Sequence, residues 1–210
     1  ENWSRFRLSS PQLEIKSGKV LDEFAPVNID PGKQEICVIG NAGALSGTNG
    51  VIRWDIGSET GKTLSVMWSI PYNMQFWSTW VAVGLTSRQD LPTYKEMYSG
   101  KDETRFVRTK SGREFEFSDG QFLLKTYMDG GANSKPVLHL GLVPFNENDI
   151  ASSIRKKLKL PVTNEDDFGL PHVAEKSSSL TNNAERLQST CFCPCGAISV
   201  SRCGFNIVLL

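Results

Sequence analysis

Histidine is scarce in this chain, with only His139 and His172 among 210 residues. Neither belongs to an H-E-x-x-H arrangement, and no nucleophile elbow or supported Cys/His pair occurs. The usual signatures of metal-assisted and nucleophilic catalysis are therefore missing. Gly57-Ser58-Glu59-Thr60-Gly61-Lys62-Thr63 imitates a phosphate-binding loop, but three residues rather than four separate its glycines. Strand-like sequence follows it, so no helix N-terminus is available to hold phosphate. These absences point to a protein that is not an enzyme and needs no cofactor or metal. Net charge is absent too, since 23 basic and 23 acidic residues cancel. That excludes the bulk electrostatic pull toward nucleic acid or anionic lipid, and argues against a single-strand binder that works by aromatic stacking. No apolar run approaches the roughly 20 residues that span a bilayer as a helix. The longest candidates, residues 81–85 and 207–210, are far shorter. No signal peptide is visible, and a chain that starts at Glu1 reads as processed or as a fragment.

Cysteine is nearly absent before residue 190, where Cys37 stands alone, and then crowds into the end as Cys191, Cys193, Cys195 and Cys203. Four thiolates at this spacing can serve zinc or form disulfides. The spacing is not the paired C-x-x-C of most zinc sites, and Pro194 interrupts it. Residues 146–190 hold a single aromatic, Phe168, among many Ser, Asn, Lys and Glu, a composition that buries little apolar area. The expected division is a body at 1–145 and a polar, cysteine-bearing, disordered extension at 146–210. Within the extension, residues 154–160 alternate basic and apolar side chains, which suits either a solvated patch or a short membrane-surface turn. Asn2-Trp3-Ser4 fits a glycosylation sequon.

The body reads as short strands with turn signals about every ten residues. Leu64, Val66 and Trp68 fall on one face of a strand, and Phe122, Leu124, Thr126 and Met128 on one face of another. This pattern predicts an all-β-dominated fold, a sandwich of two sheets, with one or two short flanking helices. The clearest helix signal lies at residues 92–100, with Pro92 near the first turn, Gly100 just past the end, and Tyr94 and Tyr98 four apart on one face. Five aromatic rings occupy the thirteen residues from Trp68 to Trp80, around a turn that Pro71 enforces. Aromatic rings on a loop, interleaved with Ser, Asn and Gln, suit a binding surface or a water–lipid boundary.

Ser69-Ile70-Pro71-Tyr72, followed by Phe76-Trp77-Ser78-Thr79-Trp80, resembles the central motif of the actinoporins, pore-forming cytolysins of sea anemones, and of actinoporin-like proteins of molluscs, fish and mosses. The likeness extends over roughly residues 5–143, through Glu14-Ile15-Lys16-Ser17-Gly18, the small-residue turn that leads to Val51, and Tyr94-Lys95-Glu96-Met97-Tyr98. It implies a secreted β-sandwich that associates with target-cell membranes, binds phosphocholine or sphingomyelin headgroups, and self-oligomerises before an N-terminal helix inserts. Carried over by position, the implied headgroup site comprises Ser17, Asn49, Ser69, Pro71, Trp77, Trp80, Tyr94 and Tyr98. Phe76, Trp77 and Trp80 form the implied membrane interface. Asn49 stands where the family has a small apolar residue, Trp77 where it has a tyrosine, Ser99 where it has a third helical tyrosine, and the anemone Arg-Gly-Asp triplet is missing. The likeness starts after the family's inserting helix and first strand, so headgroup recognition is expected of this chain and perforation only of a fuller form. Chemically, a quaternary ammonium is held by aromatic faces, and Trp77, Trp80, Tyr94 and Tyr98 are expected to form one cradle for it. The alternative is a non-lytic, lectin-like carbohydrate or lipid binder of the same fold.

Overall fold

The computed structural model describes residues 1–21, 25–41, 43, 46–129 and 136–161, together with the backbone of 206–209. All of them lie in one compact unit, Glu1–Val162 with Gly204–Leu210. Four strands of the first sheet follow the alternation in the sequence: β1 (Leu8–Ser17), β4 (Thr48–Ile56), β5 (Lys62–Ile70) and β6 (Trp80–Ser87). β7 (Phe106–Lys110) completes the order β1-β4-β5-β6-β7, antiparallel throughout. The second sheet runs β2-β3-β11-β10-β9-β8, built from β2 (Lys19–Val20), β3 (Ile36–Gly40), β8 (Glu114–Ser118), β9 (Phe122–Met128), β10 (Val137–Pro144) and β11 (Asn206–Leu209). β3 and β11 pair in parallel, and the other strand pairs described in this sheet are antiparallel.

The two sheets bury their facing sides together. Leu64, Val66 and Trp68 of β5, with Ile52 and Trp54 of β4, meet Phe122, Leu124 and Met128 of β9 and Leu138, Leu140 and Leu142 of β10. Burial of each such side chain contributes about 1.5–3 kcal/mol. The sandwich expected from period-two alternation is therefore present. Each sheet also carries apolar residues on its outer side, and a helix covers each patch. α1 (Tyr94–Ser99) sets Met97 on Val51, Met67, Ala82 and Phe106 of the first sheet. α2 (Ser152–Leu158) sets Ile154, with Ile150, Ala151 and Trp3, beside Val143 of the second.

This second contact corrects two expectations. The ordered body does not stop at residue 145: a 3-10 turn (Glu147–Asp149) and α2 follow within the same unit. The apolar residues at 154–160 are neither solvated nor free for a membrane, because Ile154, Leu158 and Leu160 pack on the body while Lys156, Lys157 and Lys159 face water. Arg155 is buried as well and donates to the carbonyls of Glu147 and Pro161. The strand at 206–209 likewise lies in the sheet, whereas residues 163–203, including Cys191, Cys193, Cys195, Cys203 and His172, fall outside the described residues.

The sequon is not a surface site. Asn2 has no exposed area. Its amide donates to the carbonyls of Phe6 at 2.7 Å, Ile29 at 3.2 Å and Asp30 at 3.4 Å, and its Oδ1 accepts from the Ser4 hydroxyl at 2.7 Å and the Ser4 amide at 3.1 Å. One side chain thus ties the first strand-like turn to the segment before β3. Asn2→Ala strips partners from all of these buried groups and is expected to lower the unfolding free energy in urea by roughly 3 kcal/mol. A loss well under about 1 kcal/mol would mean that water reaches the site and the network is dispensable.

Candidate functional site

Strand register, not sequence proximity, assembles the candidate site. Residues paired across an antiparallel ladder share a face. Ser17 pairs with Asn49, Asn49 with Ser69, Ser69 with Trp80, and Trp80 with Lys110. These five residues form one row across all five strands. Their neighbours Trp68, Ile70 and Val81 point into the core, so the row lies on the outer face of the sheet. Ser17 closes one end and donates to the carbonyl of Gly47 at 2.8 Å.

α1 lies along this row. Only six residues long, it is too short to persist in isolation. Local signals define its ends. Thr93 caps the N-terminus, accepting from the Glu96 amide at 3.2 Å, while Glu96 Oε2 accepts from the Thr93 amide at 2.7 Å. Gly100 closes the C-terminus at φ 63°, a left-handed conformation that glycine adopts without strain. A Cβ at Gly100 would also lie 2.7 Å from Arg108 Nε. Side chains from the sheet hold the helix in place. The buried Arg53 donates to the carbonyl of Pro92 at 2.7 Å, and Arg105 pairs with Asp90 at 2.7 Å and with Glu96 at 3.5 Å.

Docking in this way brings two tyrosines to the row. Tyr94 and Tyr98 stack with ring centroids 5.7 Å apart and planes at 16°. Burial pushes the Tyr94 hydroxyl above its ordinary pKa, and a hydrogen bond with Ser69 partly opposes the rise. Arg108, from β7, bridges the two halves of the site. Its guanidinium lies 4.1 Å from the centroid of Trp80 and 5.8 Å from that of Tyr98, and it donates to the Tyr98 carbonyl. The ammonium of Lys110 lies 5.3 Å from the Trp80 centroid.

The aromatic loop, residues 71–79, joins β5 to β6, so its two ends lie beside Ser69 and Trp80 of this row. Asn73 shapes its turn by accepting from the amides of Gln75 at 3.0 Å and Trp77 at 3.2 Å. Met74 anchors the loop on the core, and Thr79 is buried. The base of the loop presses on Gly47, where a Cβ would fall 2.1 Å from the carbonyl oxygen of Ile70, so only glycine fits there. Tyr72, Phe76 and Trp77 project from the loop with 58%, 79% and 64% of their surface exposed.

The expected site residues thus separate into groups. Asn49, Ser69, Trp80, Tyr94 and Tyr98 come together, with Ser17 at the edge. Pro71, half-buried, begins the loop, and Phe76 and Trp77 occupy its tip. Among the described residues a direct ring contact joins Tyr94 to Tyr98, and none joins Trp77 to Trp80, Tyr94 or Tyr98. Sequence reasoning missed Arg108 and Lys110. Alternation along residues 106–110 would have placed 106, 108 and 110 on one face, but not beside Trp80. Among the described residues no group of His, Cys, Asp and Glu could hold a metal ion.

The site is an aromatic and hydroxyl-bearing face on a β-sandwich. No family model matches the chain. It is 27% identical over 169 residues to conoporin-Cn1 of Conus consors, covering 76% of this chain and 67% of that protein. It is 28% identical over 172 residues to echotoxin-2 of Monoplex parthenopeus, covering 76% of this chain and 60% of the relative. It is 29% identical over 125 residues to Hydra actinoporin-like toxin 1 of Hydra vulgaris, covering 59% and 63%. The chain therefore spans about two thirds or less of the relatives it matches, and the likeness supports an actinoporin-like family in general.

A pH dependence follows from Tyr94. A folded-state pKa above the unfolded value means that the folded protein holds its proton longer, so stability is lost as pH rises above 10, the ordinary tyrosine value. The unfolding free energy of the wild type should fall more steeply above that pH than that of Tyr94→Phe. Parallel curves for the two proteins would show that the hydroxyl is not perturbed by its site.

Proposed function

We propose that this chain is the membrane-recognising body of a secreted pore-forming cytolysin, and that its outer row binds the phosphocholine headgroup of lipids such as sphingomyelin. The observation that carries this reading is the row itself. Hydroxyl and amide groups of Ser17, Asn49 and Ser69 run directly into the aromatic faces of Trp80, Tyr94 and Tyr98. Hydroxyls and cations suit a phosphodiester, and aromatic faces suit a quaternary ammonium.

The loop at 71–79 has a separate task in this reading. Exposed Tyr72, Phe76 and Trp77 offer apolar area with polar edges, the chemistry of a bilayer interface. Loop insertion would supply the area term, and the row would supply the selectivity. The names of the relatives, two of them toxins, favour this role over catalysis. Self-association on the membrane is part of the proposal. Perforation needs an element that crosses the hydrocarbon with its backbone satisfied, and no helix among the described residues is long and apolar enough to do so. A segment beyond this chain would supply it.

The test is co-sedimentation with sphingomyelin and phosphatidylcholine vesicles, with soluble phosphocholine as competitor. Each aromatic face contributes about 0.5–1 kcal/mol. Trp80→Ala with Tyr98→Ala should therefore weaken binding roughly five- to thirtyfold. Phe76→Ala with Trp77→Ala should weaken vesicle binding while leaving the affinity for soluble phosphocholine intact. Dye release by this chain alone should be slight. Binding that is unaltered in both pairs, or glycan binding that phosphocholine fails to compete, would replace this reading with the lectin-like one.

A further inference from the structure

Two cations at the β7 end of the row have no counter-ion among the described residues. Arg108 and Lys110 both lie within 6 Å of the Trp80 centroid, at 4.1 and 5.3 Å, yet neither enters an ion pair among the described residues. Asp90, Glu96 and Asp102, around α1, instead pair with Arg105. Two like charges that share one ring repel each other, and an anion placed between them would relieve that cost. The donors are free for it. Of the five guanidinium N–H groups of Arg108, the Tyr98 carbonyl accepts from one nitrogen, and Lys110 makes no hydrogen bond within the described residues.

We propose that Arg108 and Lys110 form an anion seat that takes the phosphate of a lipid headgroup, and that this seat, rather than the choline group, sets much of the lipid preference. The proposal rests on the reading of this face as the lipid-binding one, and sharpens it. An arginine fork and an ammonium suit a phosphate oxygen pair. A phosphomonoester, which has more charge than a phosphodiester and no choline methyls, gains more from two cations. Binding should therefore favour vesicles that contain phosphatidate over vesicles of phosphatidylcholine alone.

The experiment compares wild type, Lys110→Gln and Arg108→Gln with Lys110→Gln on both vesicle types, with thermal melting to confirm folding. Lys110 is exposed and unbonded, so its single variant keeps the fold even where the double variant fails. A cation near an anionic surface contributes about fivefold in affinity. The wild type should prefer phosphatidate vesicles, Lys110→Gln should lose about fivefold on them, and the double variant roughly tenfold or more, with a smaller loss on phosphatidylcholine. In parallel, inorganic phosphate is titrated into labelled protein while the Arg108 Nε–H signal is followed by NMR. A phosphate-dependent shift that vanishes in Lys110→Gln, with no vesicle binding, would uphold the seat and overturn the membrane reading. Vesicle binding that is indifferent to phosphatidate and to both variants would uphold the membrane reading and overturn the seat. No shift and no vesicle binding would overturn both.

Discussion

The apolar patch on the outer face of the first sheet governs the arrangement of the candidate site. Val51, Met67, Ala82 and Phe106 come from four strands and would be wet without a cover. Met97 supplies it, fully buried at the centre of a helix too short to form alone. Docking therefore folds the helix, and its caps only define where it starts and stops. Because Met97 faces inward, Tyr94 and Tyr98 fall to one flank of it, beside Ser69 and Trp80. The same burial that stabilises the sandwich thus positions the aromatic face. A change that loosened Met97, or the Arg53 contact that holds Pro92, would disperse the site without touching any residue in it.

Polar groups are spread unevenly over this face, and the zero net charge of the chain conceals it. Arg105 gathers Asp90, Glu96 and Asp102, while Arg108 and Lys110 enter no ion pair among the described residues. A neutral protein can therefore present a local positive end next to aromatic rings. Long-range attraction to anionic surfaces stays weak, since it follows the whole charge distribution. Short-range preference for a phosphate follows the local one. The two are separable, and a total charge computed from composition speaks only to the first.

Much of the fold was legible because its signals are local. Alternation with period two marked Leu64, Val66 and Trp68 and the row from Phe122 to Met128 as core, and they are core. Pro92, Gly100 and the Tyr94–Tyr98 spacing marked α1 before its contacts were known. Signals that depend on distant partners were not legible. Residues 154–160 looked solvated because their partner, Trp3, lies about 150 residues earlier. Asn2 looked like a glycan acceptor because a triplet does not reveal that its amide is enclosed by the chain at 28–30 and Phe6. Nothing in the sequence singled out Arg108 and Lys110, since only the β6–β7 register places them beside Trp80. The aromatic motif from Trp68 to Trp80 read as one cluster, yet the strand pleat sends Trp68 into the core and Trp80 outward, while Trp77 lies exposed on the turn.

That three-way division of neighbouring tryptophans has a mechanical consequence. Trp68 is buried and braces the sheet, Trp80 is half-buried and held by Arg108, and Trp77 is exposed on a turn. If the row holds a headgroup and the loop meets the acyl boundary, both contacts bear on one rigid hairpin, β5–β6. The base of the loop is braced, since Gly47 lies close against the Ile70 carbonyl and Met74 packs on the core. Under the proposed function, a braced link between a loop ring at the membrane and a row ring at the headgroup would fix the depth at which recognition occurs. A headgroup is then read only at the height that the inserted loop allows. Selectivity in such a device depends on the geometry of the bilayer surface as well as on headgroup chemistry, and a soluble headgroup analogue would test only the second.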